Sequence, residues 1–182
     1  MFLFIYGVSV GTLSCQAMTQ ETPLHIQVRL YQGVNELALA RHVLAQYGDS
    51  LSVDLSFQHF EDELVSLPGE YAQPNGGLLL AFVNGDVAGC CAFRPLHDVD
   101  YPNACEMRRL FVVKSARGAG LGGLLIEQCM VEARAAGYMH MLLEVLQDFE
   151  VARHLYGSAG FVEVPPFYFS PLAGSQFLMA HL

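Results

Sequence analysis

The sequence predicts a single α/β domain built around a mixed β-sheet flanked by helices. Residues 105 to 145 run strand, glycine-rich loop, helix, strand, the order of a parallel βαβ unit. Ahead of them, two apolar runs flank Asn84-Gly85-Asp86, and Asn-Gly favours the tight turn of an antiparallel hairpin. The 182 residues, 53% hydrophobic and only 15% charged, suffice for one domain with a sizeable core, and no internal repeat or low-complexity tract suggests a second.

Residues 1 to 20, MFLFIYGVSVGTLSCQAMTQ, carry no charged side chain, but Gly7, Ser9, Gly11, Thr12 and Ser14 dilute the apolar run below what a membrane span needs. A secretory signal would place Lys or Arg near the start, which this leader lacks, although Cys15-Gln16-Ala17 is a passable small-x-small cleavage site. The leader is therefore a weak export signal, an extra element on the domain, or an upstream start with Met18 as the natural first residue. MTQETPLHIQV looks like a polar lead into a first strand and favours the last, with the domain proper over 21 to 182.

His25 to Tyr31 alternates Ile26, Val28 and Leu30 with polar neighbours, a strand pattern, and Asn35 is placed to cap a helix running to about Tyr47 and ended by Gly48-Asp49-Ser50. A second helical stretch, around Phe57 to Ser66, precedes two loop signals, Leu67-Pro68-Gly69 and Gln73-Pro74-Asn75-Gly76-Gly77. Leu78 to Val83 and Val87 to Phe93 form the hairpin, and the polar, acidic Pro95 to Asn103 is a loop. Cys105 to Val113 is apolar at every position from Leu110 onward, as in a central strand covered on both faces. Gly120 to Ala136 carries Leu121, Leu124, Leu125, Cys129 and Ala133 as a helical stripe that Gly137 stops. Met139 to Val145 returns as a strand, Phe149 to Ser158 is a short helix ended by Gly160, and strands near Phe161 to Val164 and Gln176 to Leu182 complete the chain.

The balance of 9 basic against 18 acidic side chains, net charge −9, argues against nucleic acid and against an anionic membrane surface as partners. Yet Arg108, Arg109, Lys114 and Arg117 place four of the nine cations beside the glycine run, the makings of a local anion site or of a solvated basic loop. The five cysteines show no CxxC pair and no metal-ligand spacing, and four of them lie in apolar surroundings, which points to thiols in a reducing, cytoplasmic compartment and to no metal. His97, His140 and His154 are scattered and receive no role.

The stretch VVKSARGAGLGG, residues 112 to 123, needs a bare backbone for something other than packing. A helix start with free N–H groups and a positive dipole end binds anions, and glycines let a phosphate come close. Gly118-x-Gly120-x-x-Gly123 satisfies the dinucleotide pattern, with Glu144 placed for a ribose contact. Against that, Lys114-Ser115-Ala116-Arg117 separate the strand from the glycines, and only 37 residues follow Val145, too few for further βα repeats.

Arg117-Gly118-Ala119-Gly120-Leu121-Gly122 also matches Arg/Gln-x-x-Gly-x-Gly/Ala. The run EMRRLFVVKSARGAGLGGLLIE, followed by ARHLYGSAGF, resembles the GNAT superfamily of acyl-CoA N-acyltransferases, in element order over about residues 26 to 182. The resemblance implies a GNAT-like fold with acetyl-CoA as co-substrate. Backbone amides of Arg117, Gly118, Ala119, Gly120, Leu121, Gly122 and Gly123 would hold the coenzyme A pyrophosphate. The pantetheine arm would lie along Leu110, Phe111, Val112 and Val113, where that strand splays from Met139 to Val145. Phe149 stands where the family often has an asparagine bonding the pantetheine.

Direct acetyl transfer from a thioester to an amine needs a neutral amine, a donor for the oxyanion and a proton for the departing thiolate, and no nucleophilic side chain. The oxyanion donor would be a backbone N–H between Leu110 and Val112. Tyr156, in the Leu-Tyr-x-x-x-Gly-Phe ending that the family uses to aim a phenol at the sulfur, is the candidate acid, and otherwise a core aromatic. Glu106 is the candidate base, or a carboxylate paired with Arg108 or Arg94, and Arg108 and Arg109 hold a substrate carboxylate or a structural ion pair. The function expected is an N-acetyltransferase for a primary amine of a small molecule or protein. The alternative is a non-catalytic acyl-CoA-binding or regulatory module. The loop with Asp98 and Asp100 and the Glu70-Tyr71 segment hint at a cationic acceptor, and a homodimer stays open.

Overall fold

The computed structural model describes residues 24–51 and 58–182; the leader and the proposed start at Met18 lie outside the described residues, as does Phe57 at the head of the second predicted helix. Seven strands form one mixed sheet in the order β1-β2-β3-β4-β5-β7-β6. They are β1 Ile26–Leu30, β2 Gly77–Val83, β3 Asp86–Leu96, β4 Ala104–Val112, β5 His140–Leu146, β6 Val162–Val164 and β7 Ser175–His181. The helices are α1 Leu37–Ser50, α2 Phe60–Ser66, α3 Leu121–Ala135 and α4 Glu150–Ser158. All neighbours pair antiparallel except β4 and β5, so 105 to 145 is the parallel βαβ unit expected.

Strand alternation divides the core between the two faces of the sheet. On β2, Leu79 and Ala81 join Cys91, Cys105, Met107, Leu125, Ile126 and Cys129 under α3, whereas Leu78, Leu80 and Phe82 join Val43, Leu44 and Phe111 under α1. A strand sandwiched this way reads as a continuous apolar run, as GLLLAFV does.

Three local expectations need correction. Asn35 does not cap α1. It lies in a 3-10 turn, Val34–Glu36, entered through Gly33 at φ 94°, and the helix starts at Leu37 with no side-chain cap. Here Glu36 is the organising residue: Arg29 donates to both its carboxylate oxygens, and the Gln32 N–H donates to Oε2 at 2.8 Å. Gly48-Asp49-Ser50 forms the last turn of α1 instead of ending it. Finally, β3 runs on through Pro95 to Leu96, into the predicted loop, pairing Pro95 with Cys105. β2 pairs with β3 only as far as Phe93, so beyond it β3 is an edge on that side, where a proline's missing N–H costs no ladder bond.

Candidate functional site

β4 and β5 pair over only Ala104↔His140, Cys105↔Met141 and Glu106↔Leu142, and beyond that they run on towards Val112 and Leu146 without pairing with each other. The cause lies in β4. Its register against β3 slips between Ala92↔Arg108 and Cys90↔Phe111, leaving Arg109 bulged at φ 59°. A bulge bends its strand, while β5 stays paired with β7 along its whole length. The sheet therefore opens at its centre, where the splay was expected.

Beyond the bulge β4 stays tied to β3. The Val113 N–H donates to the Ala88 carbonyl at 2.9 Å, and the Phe111 carbonyl lies so close to Gly89 that a Cβ there would meet it at 2.6 Å. Antiparallel alternation then turns the amides of Leu110 and Val112 away from β3, into the split. A groove lined by Gln46, Phe111, Val113, Lys114 and Ser115 adjoins the end of this strand.

After β4 a 3-10 turn, Lys114–Ala116, leads to Gly118 at φ 85° and to Gly120 at φ 79°, the residue before α3. Only glycine enters this left-handed region without strain. A Cβ at Gly118, Gly120 or Gly123 would meet nothing within 4 Å, so the loop is open to approach. The first bond into the helix is Leu124 N–H to the Gly120 carbonyl, at 3.2 Å. The amides of Gly118 to Gly123 consequently have no backbone acceptor among the described residues, and they surround the positive end of the α3 dipole. Arg117 differs from its neighbours: its amide bonds back to the Lys114 carbonyl at 3.4 Å and its Nε donates to the Val112 carbonyl at 3.0 Å. It braces the loop and adds charge. These features fit a diphosphate-bearing ligand.

Gly122 has a different task. A Cβ there would stand 3.0 Å from Leu155 Cδ1, so its absence lets α4 pack against the glycine loop. That packing places Tyr156, 7% exposed, edge-on to Phe161 with ring centroids 5.6 Å apart. Among the described residues its hydroxyl has no hydrogen-bond partner. Burial, reinforced by Cys91, Tyr47 and Cys129, pushes its pKa well above the ordinary phenol value, so it stays a neutral donor across the working pH range. Tyr156 is therefore a core aromatic, as one of its two sequence readings has it, and its hydroxyl is left without a partner among the described residues. Phe149 sits just before α4 and is partly exposed.

On β4 the alternation that sends Cys105 and Met107 under α3 turns Glu106 and Arg108 to the α1 face. Glu106, 3% exposed, accepts from Arg94 Nε at 2.9 Å, so of its two proposed partners it pairs with Arg94. Arg94 also pairs with Glu70. Arg109, 4% exposed, donates from Nε and Nη2 to the two oxygens of Glu63 at 2.8 and 2.6 Å, and its guanidinium lies over Phe60 at 5.0 Å. Arg109 is thus the structural ion pair of the two alternatives, fastening α2 to the bulge. Arg108 donates to Gln58 Oε1 at 2.5 Å. Asp98 and Asp100 are exposed and make no contact with this group. His140 is buried with Nδ1–H on the Pro102 carbonyl at 2.8 Å, whereas His97 and His154 are exposed.

Two participants escaped the sequence analysis in this role. Tyr168, from the loop between β6 and β7, donates towards Glu144 Oε2 at 2.8 Å and lies 3.2 Å from Glu106 Oε1. Glu144 belongs to this acidic side of the split. The aromatic run Phe167-Tyr168-Phe169 carries no local signal of such a contact, which depends on three distant segments meeting.

Residues 41–161 match the family model described as Acetyltransferase (GNAT) family. The chain belongs to that family. An uncharacterized N-acetyltransferase of Schizosaccharomyces pombe is 32% identical, over 82% of this chain and 91% of the relative. Another from Dictyostelium discoideum is 27% identical, over 79% of this chain and 92% of its own. Among solved structures, an acetyltransferase from Streptococcus agalactiae superposes with TM-score 0.69 at 20% identity, covering 86% of this chain and 98% of that one. An acetyltransferase from Salmonella typhimurium, solved with its cofactor acetyl-CoA, superposes with TM-score 0.63 at 19% identity, covering 86% and 93%. The fold of this GNAT acetyltransferase is shared with both. Among the described residues no helix is long and apolar enough to cross a membrane.

Proposed function

We propose that the protein moves an acetyl group from acetyl-CoA directly to a primary amine. The observation that carries this is the coincidence, at one opening in the sheet, of unpaired strand amides, a glycine loop with free helix-terminal amides, and a buried phenol. In this reading the amides of Gly118 to Gly123 hold the pyrophosphate, with Arg117 bracing them. Leu110, Phe111, Val112 and Val113 line the pantetheine arm, and the Leu110 and Val112 amides supply the oxyanion donors. Tyr156 gives a proton to the thiolate, and Glu106 takes one from the amine. The buried free thiols Cys90, Cys91, Cys105 and Cys129 support a cytoplasmic setting.

The test pairs calorimetric binding of acetyl-CoA and of NAD with thiol release across a panel of primary amines. Acetyl-CoA should bind, NAD should not, and at least one amine should be acetylated. Binding without turnover of any amine would leave only the binding module.

A further inference from the structure

Tyr168 and Glu144 have no part in the transfer assigned to Glu106 and Tyr156, yet they stand beside Glu106 where the β4–β5 ladder ends. The last ladder pair of β4 and β5 is Glu106↔Leu142, and Glu144 lies two residues further along β5, on the same face. Tyr168 bridges the two carboxylates, 2.8 Å from Glu144 Oε2 and 3.2 Å from Glu106 Oε1. A phenol has one proton to donate, and the shorter contact takes it. Glu106 Oε1 then faces a phenol lone pair. Its other oxygen is satisfied by Arg94 Nε at 2.9 Å, and the other oxygen of Glu144 accepts from the Ser175 hydroxyl.

One oxygen of a carboxylate 3% exposed therefore has, among the described residues, no donor besides the phenol whose proton goes to Glu144, and its residue belongs to the last ladder pair before the split. The charge count agrees. Glu70 and Glu106 pair with Arg94, Arg108 lies near Tyr168 while its Nη2 donates to Gln58, and Glu144 has no cation in hydrogen-bond reach among the described residues. Three carboxylates thus face two guanidinium groups, and burial, Glu106 and Glu144 outweigh Arg108 in keeping the Tyr168 phenol protonated. What this group lacks is a cation carrying several N–H donors.

We propose that Glu106, Glu144 and Tyr168 seat the ammonium group of the acceptor, which is a primary amine arriving as a cation and carrying no anionic group beside its nitrogen. This rests on the N-acetyltransferase reading. One N–H fills the vacancy on Glu106 Oε1, and a second reaches Glu144. The first proton passes to Glu106, and the freed lone pair forms the C–N bond at the thioester carbonyl. The C–S bond breaks with its electron pair on sulfur, which takes a proton from Tyr156. The second N–H proton leaves the nitrogen as the amide forms and replaces the one Tyr156 gave, and the proton held by Glu106 is the one released. Overall, R–NH3+ and the acetyl thioester give the acetamide, the thiol and one released proton.

The experiment measures steady-state kinetics and binding in the full chain. Probes are 1,4-diaminobutane and phenethylamine, with phenylalanine as the analogue bearing a carboxylate beside the amine and 2-phenylethanol as the uncharged analogue. The two amines should be acetylated with kcat/KM at least about tenfold above phenylalanine, and the alcohol should not react. Tyr168→Phe and Glu144→Gln should each raise the KM for amine about 10- to 100-fold, as expected for a hydrogen bond to a charged group, and leave the KM for acetyl-CoA unchanged. Glu144→Asp should recover part of the loss. Tyr168→Phe keeps the ring, and unchanged melting and acetyl-CoA affinity show that a variant is folded.

A preference for phenylalanine, or variants whose amine KM stays within about twofold of the parent, would overturn the proposal while leaving acetyl transfer standing. Should the parent turn over no amine, the transfer reading fails. The ammonium seat is then judged by calorimetric binding of 1,4-diaminobutane to the enzyme–coenzyme A complex, which must occur and must weaken in Glu144→Gln.

Discussion

The two rims of the central split are made of different material. The rim from Val113 to Gly123 is backbone: left-handed glycines, unpaired amides and a helix terminus. The opposite rim is side chain, a network in which Arg94, Glu70, Glu106, Tyr168, Glu144 and Ser175 come from β3, β4, β5, β7 and two connecting segments. A backbone cradle recognises a group that every substrate shares, because it needs only N–H donors at fixed spacing. A side-chain network can change residue by residue without unfolding the loop beside it. The difference suggests one rim kept for the common co-substrate and another free to set the acceptor.

Tyr156 belongs to neither rim, which makes it the sharpest probe of the chemistry between them. Tyr156→Phe keeps the ring against Phe161 and removes the only proton the side chain can give. Turnover should fall by about 10²- to 10⁴-fold with acetyl-CoA affinity unchanged. Because burial holds this phenol far above its ordinary pKa, the pH profile of what activity remains should keep the parent's shape. A variant with normal turnover would leave Tyr156 a core aromatic and nothing more.

The next effect isolates the cradle. Gly120→Glu puts a side chain at φ 79° and a negative charge in open space beside the free amides. Like-charge contact costs several kcal/mol, so affinity for acetyl-CoA should drop by roughly 10²-fold or more. Binding of 1,4-diaminobutane, read by calorimetry, should persist. Undiminished acetyl-CoA binding would dissolve the distinction between the rims.

This division also marks what the sequence makes legible. The glycine loop and the parallel unit were readable because each is a local pattern, glycines within one turn, an apolar strand, a helical stripe, whereas the splay was expected only from the family resemblance. Arg109 shows the limit. Nothing in EMRRLF says that its second arginine bulges and turns inward while the first does not; that depends on Glu63 and Phe60 arriving from α2, 46 and 49 residues earlier. Asn35 failed for a related reason. Its capping propensity was real, but the Arg29–Glu36 pair fixed the chain one turn differently. Tyr168 was invisible because its meaning lies entirely in two carboxylates on other strands.

Arg109 gives the third expected effect, on stability. Replacing it by Met leaves Glu63, whose side chain is 13% exposed, without its cation, and breaking a largely buried pair costs about 3–5 kcal/mol. Chemical denaturation should report that loss. Acetyl-CoA affinity, measured on the folded fraction, should be little altered, since the cradle is anchored through Arg117, Val112 and Val113. A cost below about 1 kcal/mol would mean that the pair is solvated.

The smallest effect is the pH dependence of that same pair. Burial alone would raise the pKa of Glu63, but the hydrogen bonds and charge of Arg109, with Arg108 and Tyr71, outweigh it and leave it below the usual carboxylate value. A carboxylate depressed in the folded state contributes stability that is fully present above its unfolded pKa, ordinarily near 4.5, and lost as pH falls through the folded one. Each unit of depression is worth about 1.4 kcal/mol. At the other end, burial pushes the Cys105 thiol from 9.0 up to about 12, so the neutral thiol favours the fold below pH 9.0 and that contribution disappears as pH climbs towards 12. Denaturation midpoints should therefore hold steady between about pH 6 and 8 and fall below pH 4.5 and above pH 9.0. Glu63→Gln should lower the plateau and flatten the acid limb, while Cys105→Ala should flatten only the alkaline one. An acid limb as steep in Glu63→Gln as in the parent would assign it to other carboxylates and leave the Glu63–Arg109 pair, which fastens α2 to the bulge, without a part in it.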